Sequence, residues 1–65
     1  MGNYRDTLTG QWITTRAYAV RIGQAEPYAR EVLEYLEEEG VAERAQALLE
    51  PPVRGNTFRW VWRRR

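Results

Sequence analysis

At 65 residues and 7.7 kDa the chain has room for one domain, residues 1–65, because a chain this short buries only about 60% of the surface its unfolded form exposes. It contains no cysteine, histidine, lysine or serine, which removes disulfides, thiolate or imidazole zinc sites, and Ser-His or Cys-His nucleophile pairs, so no enzyme activity is expected. With 43% apolar and 29% charged residues it should fold, and its formal net charge of +1 conceals +2 over residues 1–24, −6 over 25–50 and +5 over 51–65.

In chain order, Asp6-x-x-Thr9-Gly10 reads as a tight turn, with Gly10 free to take a left-handed conformation, and predicts a β-hairpin of strands at about 3–6 and 11–22. The second of these strands is rich in β-branched and aromatic residues and alternates from Arg16 onward. Tyr18, Val20 and Ile22 then share one face, with Thr15, Ala17, Ala19 and Arg21 on the other. From about 26 to 39 the pattern turns helical: Pro27 suits a first helical position, Ala25, Ala29, Val32, Leu33 and Leu36 recur at three- and four-residue spacing, and Gly40 stands where a C-terminal cap belongs.

A shorter helix is predicted at about 41–50, with Ala42, Ala45, Leu48 and Leu49 inward and Pro51-Pro52 preventing its continuation. After a loop around Arg54-Gly55-Asn56, residues 57–63 alternate again as a strand, ending in a basic tail at 63–65. The expected architecture is a small α+β domain, β-β-α-α-β, with a three-stranded antiparallel sheet and an αα-hairpin on one face.

Two surfaces stand out. The first is the outer face of the long helix, where Glu31, Glu34, Glu37 and Glu38 point outward; together with Trp12, the small Ala17 and Ala19, and Trp62, its Glu34 and Glu38 form a candidate protein-interaction set. The second is the C-terminal strand: Phe58 and Trp60 are expected to pack inward, Trp62 to stay accessible for base stacking, and Arg59, Arg63, Arg64 and Arg65 to neutralise phosphates. Glu37-Glu38-Glu39 lacks the Asp/Asn spacing of a calcium loop, so no metal or other cofactor is expected.

The helix at 26–39, Gly40 and the helix at 41–50 resemble a helix-turn-helix, but Leu36 stands four positions before the turn glycine, where that motif wants a small residue. The strand at 16–22 followed by two helices resembles the ribbon-helix-helix repressors, with Thr15 and Arg21 as the readers that resemblance implies; Pro51 and Glu43 depart from it. Arg5-Asp6-x-x-Thr9-Gly10-x-Trp12-Ile13 is similar to a short element of many small uncharacterised bacterial and phage proteins and implies a hairpin only. No family is assigned.

The first expectation is therefore a non-catalytic protein-interaction module, self-associating as a homodimer or binding another protein. Burial and chain entropy nearly cancel in a domain this small, so association gains buried surface. The alternative is a nucleic-acid-binding accessory protein using the C-terminal Arg/Trp strand. No small-molecule substrate is expected. Nor is a membrane, because no apolar stretch approaches the length of a span and no leader opens the chain, and a cytoplasmic setting follows.

Overall fold

The computed structural model describes residues 4–65. The elements are β1 (Ile13–Thr14), α1 (Thr15–Ile22), α2 (Glu26–Glu38), β2 (Ala42–Val53) and β3 (Asn56–Arg64). They make a small α+β domain with a three-stranded antiparallel sheet in the order β1-β3-β2 and two consecutive helices. The class and the numbers of strands and helices match expectation, but two segments exchange roles: 15–22 is helix rather than strand, and the segment read as a helix at 41–50 lies in β2. Residues 4–6 form a turn rather than a first hairpin strand, and residue 3 lies outside the described residues, as does the side chain of Leu49.

The sequence holds the reasons for both exchanges. Thr14 is extended and its hydroxyl accepts from the Ala17 N–H at 3.1 Å, an N-cap that starts α1. At the other end Gly23, at φ 68°, takes the left-handed position of a Schellman motif, its own N–H reaching Val20 and the Gln24 N–H reaching Ala19. Between these caps the buried residues are Tyr18 and Ala19, with Ile22 half-buried one turn on, whereas Val20 is 78% exposed. Tyr18 and Ile22 fit a period of two and a four-residue helical spacing equally well, and Val20 separates the two.

In β2 the composition favours helix, yet the segment is held by its partner. Ala42 to Leu48 pair with Arg64 to Phe58, and the aromatic and β-branched residues of β3 suit only a strand. The register shifts between Leu48 and Val53, around the proline pair, and a two-residue turn closes the hairpin with Arg54 at φ 52° and Gly55 at φ 80°, the signs a type I′ turn needs.

Helix α2 is as predicted, ending one residue earlier, with Ala29, Val32, Leu33 and Leu36 buried. Gly40, at φ 79°, closes it with a second Schellman motif, in which Gly40 and Val41 donate to Glu37 and Leu36. This short turn fixes the layout of the molecule: β2 begins beside the C-terminus of α2, so the end of the antiparallel β3 lies under the helices and the hairpin turn lies far away. The eleven steps from one end of β2 to the other, at about 3.3 Å each, span roughly 36 Å, and the longest extent of the molecule is 36 Å.

Leu8, Tyr18, Ala19, Ala29, Val32, Leu33, Leu36, Ala42 and Trp62 form the core. Trp62 is fully buried and its indole N–H donates to the Thr15 hydroxyl at 2.9 Å, so the one polar atom of that ring is satisfied. This reverses the expectation for β3. Trp62 is inside, while Phe58 and Trp60, on the same strand face, are 54% and 37% exposed because the helices cover only the near end of that face.

Tyr18 is buried beneath the N-terminal turn, where its hydroxyl bonds the Thr7 hydroxyl. Burial pushes the phenol above its ordinary value near 10, and the Thr7 bond opposes the shift. A group whose folded pKa is raised contributes stability that is complete below its unfolded pKa and lost as pH rises through the folded one. The unfolding free energy is therefore expected to decline above about pH 10, and Tyr18→Phe to flatten the decline. Urea midpoints across that range check this; an equally steep decline in the variant contradicts it.

Candidate functional site

The turn between α1 and α2 is only Gly23-Gln24-Ala25. Two helices joined by a three-residue turn containing glycine have the order and turn length of a helix-turn-helix, one element earlier than the sequence suggested. The small residue wanted four positions before the turn glycine is present here as Ala19, 5% exposed. The β2-β3 hairpin follows as a projecting arm.

An open cleft of about 1230 Å³ lies between this helical pair and the arm. Its near wall is Thr14, Thr15 and Arg16 at the start of α1, with Glu26, Pro27, Arg30, Glu31 and Glu34 on α2; its far wall is Arg54, Phe58, Arg59 and Trp60 on the arm. Since β1 pairs with β3 only opposite Trp62 and Val61, the outer half of β3 meets the cleft along an edge that no described strand covers.

Four arginines and three glutamates line the cleft. Arg30 pairs with Glu34 at 3.5 Å, one turn along α2, with both partners more than half exposed. Among the described residues no ion pair involves Arg16, Arg54 or Arg59. The arm aromatics sit among these charges: the Arg44 guanidinium lies 4.5 Å from the centre of the Trp60 ring and 5.7 Å from that of Trp62, held from behind by Glu37 at 3.1 Å.

The residues singled out from the sequence do not assemble into one surface. Ala17 is exposed on α1 while Ala19 is buried beneath it, because a helix puts them on different faces. Trp12 is 44% exposed on the other side of the sheet, under the Arg63 guanidinium at 4.5 Å. Glu34 and Glu38 are exposed on α2, and only Glu34 reaches the cleft.

Of the basic set, Arg59 is in the cleft, but the expected tail is no tail. Arg63 and Arg64 belong to β3; Arg63 pairs with Glu43 across the strands and Arg64 with Asp6 at 3.5 Å. The Arg64 N–H donates to Thr9 at 2.7 Å and the Arg65 N–H to Val41 at 2.9 Å. Trp62 cannot stack on a base from inside the core. Arg16, Arg30 and Arg54 were missed; the Thr14-Thr15-Arg16 helix start before a glycine turn signals Arg16 alone, and Arg30 and Arg54 join it only through the fold.

Among the described residues no helix is long and apolar enough to cross a membrane, and no group of three or more acidic side chains is placed to hold a metal ion. No known protein family, curated protein sequence or solved structure matches the chain.

Proposed function

We propose that this is a non-catalytic nucleic-acid-binding protein that grips the phosphate backbone in the cleft between the helix-turn-helix and the hairpin arm. The observation that carries the reading is the convergence of Arg16, Arg30, Arg54 and Arg59, from α1, α2, the hairpin turn and β3, on one open cleft. Guanidinium groups suit phosphate because they donate in a planar fork. The carboxylates of Glu26, Glu31 and Glu34 oppose this, leaving the lining at formal +1, so binding is expected to be weak and strongly salt-dependent.

The test is fluorescence anisotropy of a labelled duplex titrated with the full chain at several salt concentrations. Four phosphate contacts predict a log–log slope of about −3.6, and Arg59→Gln should reduce its magnitude by about 0.9. Absence of binding at low salt, or binding indifferent to salt, sinks the proposal.

A second reading, a self-associating protein-interaction module, is favoured by the sheet face opposite the helices. There Ala45, Ala47 and Val61 are half-buried, and Trp12 lies exposed at the margin. Under this reading light scattering finds a homodimer at tens of micromolar, and a strict monomer that binds duplex leaves the first reading alone.

A further inference from the structure

On the arm, two successive side-chain gaps lie along one strand face, and the inner one is already filled. Residues two apart on a strand project from the same face about 6.8 Å apart, at about 3.4 Å per residue, close to twice the roughly 3.4 Å rise of stacked bases. In the first such gap, between Trp60 and Trp62, the flat guanidinium of Arg44 lies over both rings. The next gap along, between Phe58 and Trp60, lies beside their cross-strand partners Gln46 and Leu48. Here both aromatic rings are open to solvent, at 54% and 37%, and they do not pack on each other: among the described residues the aromatic pair is Tyr4 with Tyr28.

We propose that the Phe58–Trp60 gap receives one unpaired nucleobase of a strand whose phosphates lie against Arg54 and Arg59, so that the preferred ligand is a nucleic acid carrying an extruded or bulged base rather than a fully paired duplex. Charge and shape select this occupant together. A flat π system fits between two rings on one strand face, and the neighbouring arginines of the same cleft wall favour a ligand that carries phosphate beside it. Leu48, 61% exposed beside Phe58 on the neighbouring strand, borders the gap with apolar surface that a base tolerates and a phosphate does not. The inference rests on the nucleic-acid reading above and specifies what that cleft takes.

Its test compares three labelled probes in anisotropy titrations with the full chain: a paired duplex, the same duplex with a one-base bulge, and the same bulge with its base removed. The bulge is expected to bind about tenfold more tightly than the other two probes. Phe58→Leu and Trp60→Leu are each expected to erase that preference, so that the bulged, abasic and paired probes bind each variant alike. Phe58→Leu, at an exposed position that contacts no guanidinium ring partner, guards against a folding defect in the Trp60 variant, and circular dichroism checks both. Equal binding of all three probes overturns the inference and leaves the phosphate-binding reading standing, as does a bulge preference that survives both substitutions. Binding to none of the probes removes both.

Discussion

Trp62→Ala is expected to unfold the domain at room temperature. The ring is fully buried against α1, β1 and β2, and truncating a buried aromatic costs about 3–5 kcal/mol. A domain this small has a total stability at or below the low end of the usual range of about 5–15 kcal/mol. The substitution also removes the indole donor of the Thr15 hydroxyl, at the first turn of α1, so the loss falls where the helix begins. Trp62→Phe fills most of the volume without the N–H and should leave a folded, weakened protein. Trp60→Ala, on the same strand face but 37% exposed, should cost far less. Far-UV circular dichroism through a urea titration ranks the three, and equal midpoints for the Trp60 and Trp62 variants would contradict the placement of the core.

Deleting residues 63–65 separates the structure from the reading of the C-terminus as a binding tail. A dispensable tail would leave stability untouched. Here the deletion removes the backbone bonds from Arg64 to Thr9 and from Arg65 to Val41, together with the pairs Arg63–Glu43 and Arg64–Asp6. The two backbone bonds contribute about 0.5–1.5 kcal/mol each, and the ion pairs less because their partners are largely solvated. The expected result is a loss of about 1–4 kcal/mol, with β3 released from the start of β2. Arg63→Gln combined with Arg64→Gln keeps the backbone bonds and should leave nucleic-acid affinity nearly unchanged. A truncated chain of undiminished stability would contradict the strand assignment, and an affinity lost in the double Gln variant would return these arginines to the interface.

What the sequence made legible was local and periodic. Helix α2 followed from Pro27, the apolar stripe and Gly40, and both ends are set by the chemistry those residues imply. The strand character of 57–63 followed from its aromatic alternation. The failures came where two periods coincide or where a partner decides. Over 15–22, Tyr18 and Ile22 satisfy helix and strand alike, and the Thr14 cap and the left-handed Gly23 decide for helix. Over 42–48, Ala, Glu, Arg, Gln and Leu are good helix formers, and cross-strand pairing with β3 outweighs their propensity.

The inversion of Trp60 and Trp62 follows from the same error. The two rings share a face, so alternation cannot rank them; burial depends on which end of the hairpin the helices cover. With β2 recognised as a strand, the short Gly40-Val41 turn would have placed its start, and therefore Trp62 opposite Arg44, beneath the helices. The cleft was out of reach for a related reason. Its arginines lie at positions 16, 30, 54 and 59, on four different elements, and only the fold brings them together.

The most direct test of the phosphate-binding cleft is an amide and indole NMR titration of the uniformly nitrogen-15-labelled chain with a short duplex at low salt. The cleft account predicts shifts at Thr15, Arg16, Arg30 and Arg59 and at the Trp60 indole, while the Trp62 indole, sealed against Thr15, stays in place. Shifts confined to Trp12, Ala45, Ala47 and Arg63 on the opposite sheet face, or no shifts at all, would contradict it.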